Sequence, residues 1–175
     1  MTKPIARATR VLPTLALTLG LSLALSACAP LTRKGPATGT PLAEVTAKLG
    51  KPNAVYPEPG GGQVLEYRGQ PMGQFQHMAR IGPDGRLLSY EQVLTSENFA
   101  QVRPGYWNHD DVLRHFGKPA DVSVERVNGD EVWSYRYKEK GVWNSMMNIT
   151  FTKLGVVRQM RVTPDPLLEE RFKGT

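Results

Sequence analysis

Cysteine is almost missing from this chain: among 175 residues there is one, Cys28. An intramolecular disulfide is thereby excluded, and with it a small disulfide-stapled scaffold. Histidine is scarce as well, at three residues. His109 and His115 lie too far apart for the i, i+4 spacing of a helical metal pair, and no cysteine or third histidine stands near them. They read as exposed helix residues, and neither a metal nor a cofactor is expected. A long hydrophobic run is lacking too, because Val11 to Leu25 is short and interrupted by Pro13 and Gly20, which argues against a comfortable membrane span. No run of basic residues of the nucleic-acid-binding kind occurs. No serine or cysteine sits in a nucleophile elbow, and Gly60-Gly61-Gly62 follows prolines and precedes a strand, the wrong context for a phosphate loop. His77, Asp110-Asp111 and Glu169-Glu170 form no recognisable catalytic motif either. The reading is of a protein that binds and does not catalyse.

What the first residues do contain is an ordered leader. Lys3, Arg7 and Arg10 precede the apolar run, and Leu25-Ser26-Ala27-Cys28 closes it. That order is the pattern of a secretory signal peptide, so residues 1–27 are expected to be removed. The closing tetrapeptide resembles the lipobox of bacterial lipoproteins, in which the cysteine becomes the first mature residue and carries acyl chains. Cys28 is therefore the expected lipid attachment site, and several chains on one residue anchor stably where a single chain is marginal. Ala29, standing where an aspartate would be needed for inner-membrane retention, implies sorting to the outer membrane, with the folded part on the periplasmic face. Residues 28–39, small and rich in Pro and Gly, read as a flexible lipidated tether. The net charge of +6 shrinks with the leader: 19 of the 22 basic side chains and all 16 acids lie beyond Cys28, a net of +3. No nucleic-acid partner is indicated.

Beyond the tether the same short text occurs twice. In the later copy Asn108 can cap a helix, Asp111 suits its first turn, Val112 and Phe116 share a face, and Gly117-Lys118-Pro119 ends it. In the earlier copy Thr40 is the expected cap and Pro41 the first helical residue, with Val45 and Leu49 sharing a face before Gly50-Lys51-Pro52.

Strands follow each helix. Val64–Arg68, Gln74–Gly82 and Arg86–Val93 alternate in the first copy, with Pro83-Asp84-Gly85 as a hairpin turn and Tyr56–Gly62 read as turn-rich. In the second copy Trp133, Tyr135 and Tyr137 share one face, and so do Met147, Ile149 and Phe151, before Leu154-Gly155 turns the chain into Val156–Val162. Ser96 is the expected cap of a short connecting helix. The fold class is α+β: two tandem units, each a short helical segment packed on a three-stranded antiparallel sheet. The divisions are 40–95 for a degenerate first repeat, 96–163 for the second, and 164–175 for a C-terminal tail. Equivalent landmarks differ by 67 (Pro52, Pro119), 68 (Tyr67, Tyr135) and 70 (Gly85, Gly155), a period that suits a duplicated small domain better than a solenoid.

Two surfaces are candidates for a partner. One is the sheet face opposite the Trp133 and Met147 rows, carrying Arg136, Lys138, Thr150, Thr152, Gln159 and Arg161, which can meet an acidic partner or anionic lipid headgroups; an ordinary solvated face has the same composition. Arg158 breaks the alternation there and implies a strand end or a bulge. The other is Trp143, in the expected hairpin tip 138–144, where a large aromatic either docks a partner or a membrane interface or packs on the helix layer. Trp107, beside the helix cap, reads as a staple-like packing residue.

Taken together, F-A-Q-V-R-P-G, D-V-L-R-H-F-G-K-P, E-V-W-S-Y-R-Y and M-N-I-T-F-T-K-L-G-V-V resemble the SmpA/OmlA domain of BamE-like outer-membrane lipoproteins. The likeness implies a non-catalytic accessory or scaffold in the assembly of outer-membrane β-barrel proteins or in envelope integrity, with outer-membrane assembly proteins or another envelope protein as partners. Typical members carry one copy. Two copies in tandem resemble the β-lactamase inhibitor proteins, which implies the alternative of a periplasmic inhibitor or adaptor that binds a soluble enzyme through its sheet faces.

Overall fold

Two four-stranded antiparallel sheets carry the chain, each with its strands in sequence order. The structure is a computed structural model and describes residues 35–169. Sheet 1 consists of β1 (Ala54–Pro57), β2 (Gln63–Arg68), β3 (Gln76–Ile81) and β4 (Leu87–Gln92). Sheet 2 consists of β5 (Asp121–Val124), β6 (Glu131–Glu139), β7 (Trp143–Phe151) and β8 (Val157–Pro164). The helices are α1 (Leu42–Leu49), α2 (Ser96–Phe99), α3 (His109–Phe116) and α4 (Pro166–Glu169). The class is α+β, with four strands per sheet where the sequence suggests three. The added strands are β1 and β5. Ala54–Pro57 lies partly in the segment read as a turn, yet pairs with residues 63–66 of β2. β5 is exposed at every position and so writes no apolar alternation into the sequence. Among the described residues no helix is long and apolar enough to cross a membrane.

Helix α3 starts where its capping chemistry dictates. The Asp111 N–H donates to Asn108 Oδ1 and the Asn108 N–H donates to Asp111 Oδ2, both at 3.0 Å, a reciprocal box that satisfies two otherwise orphaned donors. Helix α1 lacks this. Its N-cap is Pro41, which has no side-chain acceptor, while the expected cap Thr40 donates its hydroxyl to Ala37 O at 2.6 Å. At α2 the cap is Thr95 and not Ser96, its Oγ1 accepting from the Asn98 N–H.

The elements stack as α1, sheet 1, α3, sheet 2. On one side of sheet 1, Val45 of α1 packs with Leu65, Ala79, Ile81 and Leu87. On its other side Val64 and Met78 join α3 (Val112, Phe116), α2 (Phe99) and the aromatic face of sheet 2 (Trp133, Tyr135, Tyr137, Ile149, Phe151) in one larger core. Phe116 is its hub, with ring centroids 4.6 Å from Phe99 and 5.9 Å from Tyr135. Trp107 packs edge-on to His115 and against Phe116, near the far end of α3, so it is a packing residue whose ring contacts lie beyond the first turn that a staple would reach.

The local bonding of one half recurs in the other. Leu42 donates to Gly85 O as His109 does to Gly155 O; Gly50 to Thr46 O as Gly117 to Leu113 O; Asn53 to Glu66 O as Ala120 to Ser134 O. Even the irregularities match, since the β3/β4 register shifts at Arg80/Ile81 and the β7/β8 register at Thr150/Phe151, leaving Leu88 and Arg158 as extra residues. Arg158 is thus a bulge residue, and its Nε lies 2.6 Å from Oδ2 of buried Asp130.

Where sheet 1 meets α3, the joint is polar. Glu66 and Gln76 are fully buried. Glu66 accepts from Tyr56 Oη and Arg68 Nε, both at 2.5 Å, and from the Lys118 N–H at 3.3 Å. Gln76 Nε2 donates to Phe116 O and Lys118 O, and Tyr135 Oη donates to Gly117 O at 2.9 Å. These donors answer carbonyls that the end of α3 leaves without helical partners. Gly117 is required there: its φ is +71°, and a Cβ would stand 2.2 Å from Gln76 Nε2.

His115 sits in the same joint, between Trp107 and the Arg80 guanidinium. Burial, and then Arg80, hold its pKa below the usual histidine value, while Glu58, Glu91 and Asp111 oppose the shift. Because the folded chain binds this proton more weakly than the unfolded one, the contribution is complete above the unfolded pKa of about 6.5 and is lost as pH falls through the folded value. Urea midpoints measured between about pH 7 and pH 5 should therefore fall for the native chain, and fall less for His115→Gln. Equal losses in both would show that His115 does not titrate in the joint.

Residues 35–39, expected to belong to a flexible tether, are docked on sheet 1. Gly39 donates to Leu87 O at 2.7 Å, and Pro36 is buried. The leader, Cys28 and residues 28–34 lie outside the described residues, as do residues 170–175 of the tail.

Candidate functional site

Strand registers fix the outward face of sheet 2. Ser134, Arg136 and Lys138 of β6 stand opposite Asn148, Met146 and Asn144 of β7, and Gln159, Arg161 and Thr163 of β8 oppose Thr150, Asn148 and Met146. Arg136, Lys138, Thr150, Gln159 and Arg161 therefore do share one face. Thr152 does not: it lies in the β7–β8 turn, with its Oγ1 accepting from the Val156 N–H at 3.3 Å.

Most of this face is occupied with its own bonding. The Arg136 guanidinium pairs with Asp165, which is fully buried where the chain folds back after β8. Thr150 is buried, and Lys138 Nζ donates to Asn144 Oδ1 at 2.7 Å. Ser134 Oγ is bonded to Asn148 Oδ1 at 2.7 Å, and Asn148 Nδ2 donates to Thr163 Oγ1 at 3.0 Å. Gln159 and Arg161 are exposed. The broad basic surface expected from the sequence thus reduces to Gln159, Arg161 and Lys138, because alternation assigns a residue to a face without saying which side chains neutralise one another on it.

The comparison with sheet 1 explains the difference. The face of β2 and β3 that presents Glu66, Gln76 and Arg80 to α3 corresponds, at offsets of 68 and 70, to Ser134, Met146 and Thr150. Three long polar arms that hold a helix in sheet 1 are replaced in sheet 2 by two short hydroxyls and a methionine. Sheet 2 ends the stack with a self-satisfied polar face, as the terminal layer of a stacked array does.

The remaining candidate, Trp143, is 67% exposed. It begins β7 opposite Glu139, after a three-residue turn in which Lys140 and Gly141 take positive φ. Its neighbour Val142 is 65% exposed. An open cleft of about 360 Å³ lies beside it, lined by Glu139, Trp143, Ser145, Val162 and Pro164 among others. A second, of about 240 Å³, lies between α2 and β8 against Phe99, Met147, Met160 and Val162. Glu139 and Val162 line both clefts.

No family model and no curated protein matches this chain. A solved structure with some similarity is that of a DUF4309 family protein, YjgB, from Bacillus subtilis: it is 14% identical, covers 70% of this chain and 77% of its own, and superposes with a TM-score of 0.32. A superposition that loose fixes neither a shared fold nor a shared role.

Chemically, then, the best-formed feature is an exposed aromatic over a mixed cleft, with Val162 and Pro164 as its apolar part and Glu139 and Glu169 as its carboxylates. Tyr137, at the base of the second cleft, is pushed above the usual phenol value, first by burial and then by Glu139, so it stays a neutral hydroxyl there. Glu139 is itself committed, accepting from Ser145 Oγ at 3.0 Å. The histidines expected to be exposed are not: His109 stacks on Phe151 at 4.1 Å, and its Nε2 lies 3.1 Å from Glu131 Oε2 as a close approach rather than an aligned hydrogen bond. Among the described residues no three His, Cys, Asp or Glu side chains are grouped as metal ligands. Sequence reasoning missed Val162 and Glu139 as parts of the site. Alternation puts Val162 on the apolar side of β8, but β8 is the sheet's edge, so part of that side lies beyond the helix layer and opens onto the clefts.

Proposed function

We propose that this chain is a non-catalytic, lipid-anchored binding protein of the bacterial envelope, held through Cys28 at the periplasmic face of the outer membrane. It acts there as an accessory or scaffold in the assembly of β-barrel proteins or in envelope integrity. We also infer that its halves are tandem copies of one unit, a reading supported by the recurrence of helix-ending glycines, turns and bulges at offsets of 67–70 residues. The lipobox resemblance and the SmpA/OmlA-like motifs support the location and the role. The observation that carries the binding site is the cleft beside Trp143 at the β8 edge, because an exposed aromatic with Val162 and Pro164 beside it and a polar rim that includes Glu139 and Glu169 is the composition of a protein-docking site.

The alternative, an inhibitor or adaptor gripping a soluble enzyme with the faces of both sheets, fits less well. Sheet 1 is covered by α1 on one face and α3 on the other, so it offers no open face to share. A mild-detergent pull-down with the native chain, Trp143→Ala and Val162→Glu as parallel baits tests the choice. Recovery of outer-membrane assembly proteins, reduced about tenfold by either substitution if that residue is a docking anchor, is the expected result. Recovery of a single soluble periplasmic enzyme would replace this reading with the inhibitor.

A further inference from the structure

Each half puts its central hairpin loop, β2–β3 in one and β6–β7 in the other, at the same end of the molecule. Gln70, in the β2–β3 loop, donates through Nε2 to Arg136 O at 2.7 Å, and Gln74 donates to Tyr137 O at 3.2 Å, which fastens that loop to β6 just below the β6–β7 turn. This end carries Met72 (74% exposed), Phe75 (49%), Val142 and Trp143, with Lys138 and Lys140 exposed among them. Four large apolar side chains from two separate loops, with two lysines at the β6–β7 hairpin, have the composition of a membrane-interface contact: an aromatic belt residue, apolar wedges, and ammonium groups to meet anionic headgroups.

The path of the chain leads to the same end. Thr40 and Gly39 bond Leu87 at the start of β4, Thr38 Oγ1 donates to Leu88 O, and Gly35 lies against the Tyr90 ring so closely that a Cβ there would meet it at 2.4 Å. Read backwards from Thr40 to Gly35, the backbone follows β4 toward its far end, where Val93 bonds Gln76 beside the β2–β3 loop. From Tyr90 an aromatic row continues in that direction, through His77 at 5.1 Å to Phe75 at 5.9 Å. Only seven peptide steps separate Gly35 from Cys28, and they reach at most about 25 Å even when fully extended. Arg33 and Lys34 fall within them.

We propose that this end of the molecule rests on the bilayer that receives the Cys28 lipid, with Trp143, Val142, Phe75 and Met72 at the boundary between headgroups and acyl chains. The inference rests on the anchored reading above and adds an orientation to it. The cleft beside Trp143 then lies at the level of the membrane surface, within reach of the rim of a protein embedded there.

The test uses the full acylated chain, purified in detergent and reconstituted into vesicles of zwitterionic and anionic phospholipid, with and without bromine on the acyl chains. Tryptophan emission is read for the native chain and for Trp143→Phe, which retains Trp107 and Trp133. Bromolipid should quench a component of native emission that Trp143→Phe lacks, and the double variant Met72→Ser/Phe75→Ser should reduce that quenching while leaving Trp133 emission as it is. Equal emission from brominated and plain vesicles, with Cys28 shown by mass to be acylated, would overturn the orientation and leave the anchor standing. Absence of the acyl mass on Cys28 would overturn the anchor and the orientation together. Emission of Trp143 shielded from aqueous quencher only when a co-purified protein is added back would give this end to a protein partner and refute the membrane contact.

Discussion

Phe116→Ala is expected to destabilise the chain by about 4 kcal/mol, measured as the loss in urea-unfolding free energy. The ring is fully buried and stands between Phe99, Tyr135 and Trp107. Its removal opens a cavity that none of these neighbours can fill, because Tyr135 is fixed by its bond to Gly117 O and Phe99 by the turn of α2. The equivalent residue of α1, Leu49, is only half-buried on the small core of sheet 1. Leu49→Ala should cost less, about 1 to 2 kcal/mol, since its side chain has already kept part of its contact with water. Losses of similar size at the two positions would show that both helices carry equal weight, contrary to the layering described here.

Glu66→Ala should cost about 3 kcal/mol. Its carboxylate is fully buried and answers Tyr56, Arg68 and the Lys118 N–H at once, so truncation leaves three donors without their acceptor. The loss stays near the lower end for a broken buried pair because the Arg68 side chain is 26% exposed and can turn to water. Tyr56 reports on the same group: burial, reinforced by Glu66, pushes its phenol well above the usual range. In Glu66→Gln, which keeps one acceptor, the charge no longer acts on Tyr56, so its ionisation in an absorbance titration should move down toward the ordinary phenol value. An unmoved Tyr56 would mean that the two groups are not in contact.

These two positions also mark what can be read from sequence and what cannot. Phe116 is legible, since the cap, the i, i+4 apolar pair and the closing Gly-Lys-Pro fix α3 locally, and the capping box lies where those residues place it. The aromatic rows of β6 and β7 are legible for the same reason, as a period of two next to hairpin turns. Glu66 is not. In a half-buried strand a glutamate alternating with Leu65 and Tyr67 reads as solvent-facing, and it becomes buried only because a helix from the other half, beginning more than forty residues later in the chain, covers that face. Arg136 fails in the same way through its pairing with Asp165. β5 fails for the opposite reason: nothing covers it, so burial leaves no period in its residues, and only pairing with β6 defines it.

Trp143 lies between these cases. A large aromatic in a turn is visible in the sequence, whereas the company it keeps comes from a second loop, Gly69 to Phe75, brought alongside by Gln70 and Gln74. The exposed apolar end is therefore a property of the paired halves, whereas the cleft itself is lined by residues 139–169 alone.

Fractionation of cells producing the full chain or Cys28→Ala tests the proposed anchor most directly. The native chain should stay in the outer-membrane pellet through a high-salt wash, while Cys28→Ala should be recovered in the soluble periplasmic fraction. A Cys28→Ala chain that remains in the washed pellet would contradict the anchor.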